Sequence, residues 1–462
     1  MTRDAAIDHA RQYLSDGRFE ADLARRVAYR TQSQVTDGLP HARRYLDEEM
    51  APLFARLGFM TQVFENPYPG VAPVLLAVRD EGAPLTILSY GHGDVVRGQE
   101  ARWTKGAGPW VTHRDGDRLY GRGTADNKAQ HTINIAAMES VLQTRGSLGF
   151  NAKFIIEMAE EAGSLGLREI IAENLEAFAA DVFIASDGPR VRPDQPTVSL
   201  GARGALNFDL VCDLREGGHH SGNWGGALAD PAMILSQALA SLCGSDGQIL
   251  VEAWKAPPMT QAVADALAEL TLDPGPDGPA IDADWGEPGL TTAERVYGAN
   301  AFAILALSAG DIAAPVNAIQ PQASAHCQLR FVAGTEVEQI LPGLRRHLNR
   351  HGFDRVHVRE SDSAGFAASR TEPDDPWVAR VKASIEKTTG AAPAVIPQMG
   401  GSICNDLFTD LLGLPAIWLP HSYAGCSQHA PDEHILMSVS ESALTIIAAL
   451  YWDLGAESLV DT

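Results

Sequence analysis

Polar and apolar positions recur along this chain with two different periods, and the change of period marks a change of architecture. Helical spacing runs over residues 5–14, 19–29 and 41–57, the last ending at Gly58. Short apolar runs come next at 74–78, 85–90, 152–158 and 182–185, with turn residues between them. An amphipathic helix is predicted over 127–143 and another helix over 165–178. This alternation predicts an α/β layer: a mixed, largely parallel sheet flanked by helices. From about Ser199 the spacing shifts toward period 2, at 206–214, 324–332 and 355–359. The tail, with a helix at 376–388, a buried strand at 415–419 and a closing helix at 438–454, returns to the first pattern. The expected organisation is therefore one α/β domain in two parts, 1–201 and 368–462, with an α+β domain, 202–367, inserted between them. Within the insertion, residues 272–289 are acidic and rich in Pro and Gly, and read as a loop.

Size agrees with two domains, since 462 residues exceed the roughly 250–300 that one core serves. A net charge of −23 argues against nucleic acid or an anionic membrane as partner, because phosphate binding wants a basic face. The five cysteines are odd in number, scattered and without a C-x-x-C pair, which points to a reducing compartment. A polar N-terminus without an apolar signal segment, and no run long enough to cross a bilayer, make the cytoplasm the expected location.

The chemistry lies just past the ends of three of these apolar runs. Run 85–90 leads into Gly91-His-Gly-Asp94, run 152–158 into Glu160-Glu161, and run 182–185 into Ser186-Asp-Gly188. Between them, Tyr120-Gly-Arg-Gly-Thr-Ala-Asp-Asn-Lys128 forms a glycine-rich turn that brings Asp126 to a helix start, at the N-cap position. Ligands gather beyond the carboxyl ends of strands in such sheets. Carboxylates crowded there would suffer large upward pKa shifts, which divalent cations relieve. A His and carboxylate set without thiolate suits zinc, with manganese or cobalt as alternatives. Two metals about 3.5–4 Å apart would share a bridging carboxylate, and Asp126 is the candidate. Asp94, one residue beyond His92's neighbour, can orient the imidazole. Adjacent Glu160 and Glu161 divide the remaining labour: one ligates, and the other acts as general base.

Taken together, Gly91-His-Gly-Asp-Val-Val96, the turn 120–128, Glu160-Glu-Ala-Gly-Ser164, Ser186-Asp-Gly188, His220-Ser-Gly222, Gly400-Gly-Ser402 and His429-Ala-Pro-Asp-Glu433 resemble the M20 family of metallopeptidases and amidohydrolases, in its carnosinase-like dipeptidase branch. The resemblance implies a zinc-exopeptidase-like catalytic domain with a lid and dimerisation domain inserted. It implies that His92 and Asp187 complete one metal site, Glu161 and His429 the other, with Asp126 bridging and Glu160 as general base. The peptide bond after Asp126 is then cis. His220 would reach the partner subunit's active site and stabilise the oxyanion, which requires a homodimer. Asn317, Arg330, Gly400, Gly401 and Ser402 would bind the substrate's carboxylate and backbone; Arg330 as an ordinary surface strand arginine and Arg203 as a hinge residue in place of a contact are the alternatives. His113, His131, His421 and His434 match no ligand position. Ala129, the Met-Ala within Glu157-Met-Ala-Glu-Glu161 and the stretch 272–289 depart from the family pattern without removing a ligand. Asp187 in place of Glu favours a dipeptidase over the runner-up, an N-acyl-amino-acid amidohydrolase. A non-catalytic homologue is a third reading, against which the intact Glu160 argues.

Overall fold

Eight strands build the large sheet, in the spatial order Met60–Phe64, Val74–Arg79, Asn151–Glu157, Thr86–His92, Val182–Ala185, Ala416–Trp418, Thr197–Ser199, Ala394–Ile396. The computed structural model describes residues 2–272, 279–361 and 365–457; residues 273–278 of the acidic stretch 272–289 lie outside the described residues. The four central strands run parallel, while Met60–Phe64 and Val74–Arg79 pair antiparallel at one edge. The sheet is thus mixed and largely parallel, as the sequence predicts. The edge strands Thr197–Ser199 and Ala394–Ile396 pair with each other across the insertion.

Both faces of this sheet are covered, which is why its strands read as unbroken apolar runs. Successive side chains point to opposite faces. Leu75, Ala77, Ile87, Phe154, Ile156, Ile184 and Ile417 pack under the helices Arg3–Ser15, Lys128–Arg145, Pro376–Thr389 and Met437–Glu457. Their neighbours Val74, Leu76, Leu88, Phe183 and Trp418 face the other way, onto Leu167, Ile170, Ile171 and Phe408. Lys128–Arg145 differs from expectation. It is buried nearly all round, because the first and last helices cover the side that its polar residues predict to be wet. Those residues bond inward: Gln130 Nε2 donates to the Ala125 carbonyl at 2.8 Å, and Lys128 Nζ donates to the carbonyls of Arg26 and Tyr29.

A second, antiparallel sheet of four strands has the order Ala301–Ser308, Gln322–Phe331, Gly204–Asp213, His357–Glu360. Its period-2 pattern buries Phe208, Leu210 and Cys212 together with Ala325, Cys327 and Leu329 under the helices Pro231–Leu242 and Val337–Arg350. This is the inserted α+β unit. Of its elements, the helix Val337–Arg350 has helical spacing at Ile340, Leu341, Leu344 and Leu348, whereas the helix Pro231–Leu242 and the edge strand Ala301–Ser308 carry no clear period in the sequence. That strand exposes Ile304, Leu305 and Leu307, so no buried face imposes alternation on it. Among the described residues no helix is long and apolar enough to cross a membrane.

Candidate metal centre

Three strand ends and one turn meet at a single point. His92 is the last residue of its strand and is fully buried. Its Nε2 lies 2.8 Å from Asp126 Oδ1 and 3.7 Å from Asp187 Oδ2. On the far side, His429 Nε2 stands 3.0 Å from Asp126 Oδ2 and 3.0 Å from Glu161 Oε2. Two donor groups result, His92–Asp126–Asp187 and Asp126–Glu161–His429. Asp126 belongs to both and offers each a different oxygen. The Asp126–Asn127 peptide bond is cis.

Asp126 is not the helix cap that its position suggests. Asn127 occupies the N-cap and Lys128 begins the helix. The carboxylate is turned to the two imidazoles instead, and the turn is held from elsewhere. Glu433, buried, accepts backbone N–H groups from Gly123, Ala125 and Asp126, and its other oxygen pairs with Arg122 Nη1 at 2.6 Å. Glu433 stands in a motif read for its histidine, so the sequence carried its presence but not its task. Asp94 does a similar job. Its carboxylate accepts the backbone N–H groups of Glu160 at 3.1 Å and Glu161 at 3.0 Å, which fixes the 3-10 turn Glu160–Ala162. The nearer oxygen to His92 Nδ1 is the Asp94 carbonyl, at 3.1 Å, with a carboxylate oxygen at 3.4 Å. Asn127 Nδ2 donates to the Ser186 carbonyl, tying the turn to the residue before Asp187.

The electrostatics show what this arrangement wants. Burial pushes Asp187 up to about 6 and Glu161 up to about 7, with the neighbouring Asp126 charge adding to both. Burial, with Asp187, Glu161 and Asp126 nearby, also raises Glu160 well above the ordinary range. His429 is driven up to about 10 by hydrogen bonds to Asp126 and Glu161. The imidazoles are thus drawn to hold protons because the carboxylates lack another positive charge. Two divalent cations fit that need, and the oxygen-and-nitrogen donor set fits them.

Glu160 Oε2 is 4.0 Å from His92 Nε2 and belongs to neither group of three. A cavity of about 520 Å³ opens over the centre, lined by Asp126, Glu160, Glu161, Asp187 and His429 on one side and by Gly400, Gly401 and Ser402 on another. Behind that loop, Arg330 Nη1 donates to Ser402 Oγ at 2.7 Å. Ser402 Oγ in turn donates to the Arg203 carbonyl, and the Arg203 guanidinium donates to the Gly400 carbonyl at 3.0 Å. Arg203 therefore buttresses the loop, a role outside both its readings from the sequence, contact and hinge.

His220 and Asn317 do not line this cavity. His220 is exposed on a two-residue strand, His219–His220, paired with Ala318–Ile319. The Asn317 carbonyl accepts the N–H of Ser221, and His220 pairs with Ala318, so the two predicted residues lie on neighbouring segments of the inserted unit. Of the four histidines set aside from the sequence, three have hydrogen-bond partners of their own, His131 with the Tyr45 hydroxyl, His421 with Ser186 Oγ and His434 with the Tyr423 hydroxyl, and the His113 ring stacks on Tyr120. Cys404 and Cys426 are buried, and burial raises both thiols, Cys426 up to about 12, so neither is poised as a thiolate ligand.

A sheet of this topology, with His and carboxylate donors at its strand ends and an inserted second unit, defines the class as a metallohydrolase. The chain belongs to peptidase family M20/M25/M40, with the match covering residues 88–453. It is 28% identical over 354 residues to the cysteinylglycine-S-conjugate dipeptidase of Corynebacterium striatum, covering 74% of each chain. It is 32% identical over 209 residues to the beta-Ala-His dipeptidase of Homo sapiens, which is 44% of this chain and 41% of that one. The crystal structure of human carnosine dipeptidase 1 shares the fold, with a TM-score of 0.77 at 23% identity over 97% of this chain and 100% of the other.

Proposed function

We propose that this protein is a binuclear metal-dependent dipeptidase acting on small substrates with a free carboxylate. The observation that carries this reading is Asp126, whose two oxygens face His92 and His429 separately at 2.8 and 3.0 Å. His92 and Asp187 would hold one ion, Glu161 and His429 the other, with Asp126 between; zinc suits the donors, and manganese or cobalt are alternatives. Divalent ions held there supply Lewis acidity and ease the deprotonation of water.

The chain's own residues do the rest. Glu160 lies beside both donor groups and outside them, buried and with its pKa raised by that burial, and it is the residue assigned as general base. It takes the proton of the attacking water and delivers it to the leaving amine. Asp94 holds the backbone of Glu160 and so aims its carboxylate. The loop Gly400–Gly401–Ser402 offers backbone N–H groups to the substrate carboxylate, and Arg330, whose guanidinium reaches Ser402, adds the cationic partner that a carboxylate prefers. Residues 202–367 act as lid and dimerisation domain. The exposed apolar edge strand Ala301–Ser308 supports a homodimer, in which exposed His220, with Asn317 nearby, would complete the partner's site as an oxyanion donor. Five free cysteines support a reducing, cytoplasmic setting.

The test is hydrolysis of a dipeptide panel against N-acetyl and N-succinyl amino acids, with and without chelator. Chelator-sensitive cleavage of dipeptides is expected. Turnover of N-acyl amino acids alone would establish the amidohydrolase reading instead, and turnover indifferent to metal removal would overturn both.

A further inference from the structure

The cavity above the metal centre is chemically divided. Away from the donors its wall is apolar, built by Val296, Tyr297, Phe366, Ile396, Met399 and Ile403. This wall starts at the loop that receives the substrate carboxylate. A Cβ placed on Gly400 would stand 3.5 Å from Val296 Cγ1 and 3.9 Å from Tyr297 Cε1, so both side chains lie against the loop. Met399 directly precedes the loop, and its Sδ would meet a Cβ on Gly188 at 2.8 Å, beside the ligand Asp187. The apolar surface thus spans the gap between the carboxylate loop and the metals.

Resting on the dipeptidase reading, we infer that this wall is the subsite for a bulky apolar side chain on the substrate's C-terminal residue, so that dipeptides ending in a leucine- or phenylalanine-class residue are preferred over those ending in glycine. The geometry comes from substrate chemistry. With the carboxylate at Gly400–Ser402 and the scissile carbonyl at the metals, the atom between them is the Cα of the C-terminal residue. Its side chain leaves from that atom, beside Val296, Tyr297 and Met399. The N-terminal residue's side chain leaves from the opposite side of the scissile bond.

A second observation shows that the wall is built and not incidental. Val296 and Tyr297 end the short helix Thr292–Tyr297, which opens with a capping box between Thr291 and Glu294. Arg295 on that helix donates to the carbonyls of Ala283, Trp285 and Glu287. The described end of the acidic stretch 272–289, which departs from the family pattern, is therefore the clamp that seats the helix. The departure and the apolar wall are one structural unit.

The test compares kcat/KM for Ala-Leu, Ala-Phe, Ala-Gly and Leu-Gly on the metal-loaded protein. Ala-Leu and Ala-Phe are expected to exceed Ala-Gly by at least roughly 10-fold, the discrimination an apolar pocket supplies for a small change in buried surface. Tyr297→Ala and Phe366→Ala should lower the ratio of kcat/KM for Ala-Leu to that for Ala-Gly. Equal turnover of Ala-Gly and Ala-Leu, or a gain from Leu-Gly over Ala-Gly larger than that from Ala-Leu, overturns the subsite while the dipeptidase reading stands. If dipeptides are inert and N-acetyl amino acids are cleaved, that reading fails, and the ratio of N-acetyl-leucine to N-acetyl-glycine decides the subsite alone. Calorimetric binding of free leucine against free glycine reads the same preference without turnover; no preference there counts against the subsite.

Discussion

Glu433 Oε1 accepts the backbone N–H of Asp126 at 3.1 Å across a sequence separation of 307 residues. The bond is one of several by which Glu433 shapes the turn that presents the shared carboxylate, and its charge is matched by buried Arg122. Neutralising Glu433 with Glu433→Gln preserves shape but weakens every charge-assisted bond. Metal affinity should fall by about 10–100-fold, as for other residues that orient ligands, and stability by about 3–5 kcal/mol because Arg122 is left as an unpaired buried charge. Chelator-competition titration and denaturant melts measure the two separately. Unchanged affinity in a folded variant would remove Glu433 from the metal site's support.

Glu160→Ala should retain both metal ions and lose about 10²–10⁴-fold in kcat, the usual contribution of a general base. Elemental analysis alongside steady-state kinetics checks this. Full turnover in the metal-loaded variant would transfer the base to another residue.

Metal uptake should release protons near neutral pH. In metal-free protein Glu161 and Asp187 hold protons up to about 7 and about 6, and a cation must displace them. Affinity therefore weakens as pH falls from 7 toward 5. The same shifts set the stability of the metal-free protein. These pKa values lie above the unfolded ones, so the folded state binds more protons and its stability falls as pH rises through about 6 to 7. His429, raised to about 10, acts in the same direction above its ordinary value. The metal-free protein should melt at a lower temperature at pH 7.5 than at pH 5.5, and added metal should reverse that order. A metal-free Tm that climbs over this range would contradict the crowding of uncompensated carboxylates.

Leu305→Glu places a charge on the apolar edge strand and should yield a monomer in sedimentation with activity much reduced. His220→Ala should cost about 10²–10³-fold in kcat, the loss typical of one oxyanion donor. Mixed dimers of His220→Ala and Glu160→Ala chains should recover activity, because one of the two sites then receives an intact residue from each chain. A fully active monomer, or mixed dimers as inactive as their parents, would place His220 outside the reaction.

Part of the site is legible from the sequence because His92, Glu161 and Asp187 each stand within three residues of an apolar run. His92 ends its strand, Asp187 comes two residues after Val182–Ala185, and Glu160 and Glu161 come after Asn151–Glu157 with a short gap. Parallel strands with both faces covered must be apolar throughout, so polar residues cluster where the strands stop. That local rule carries the α/β assignment and most of the donor set.

Other features depend on which surfaces meet. The helix Lys128–Arg145 has a polar side in sequence, but outer helices bury that side and its polar groups bond inward. Asp126 has the position of a helix cap, yet two imidazoles claim its carboxylate. The apolar edge strand Ala301–Ser308 has no alternation because, among the described residues, nothing covers its outer surface.

Residue order by itself determined the layered architecture and put His92, Glu160, Glu161 and Asp187 forward as a group, since those depend on short-range period and on chemistry at strand ends. Only the tertiary structure decided that Glu433 and Asp94 aim the reactive turns, that Arg203 and Arg330 back the Gly400–Ser402 loop, and that Val296 and Tyr297 close an apolar wall beside it. Such hydrogen bonds and contacts join residues hundreds of positions apart, and no local pattern encodes a contact whose partner is set by how distant elements pack.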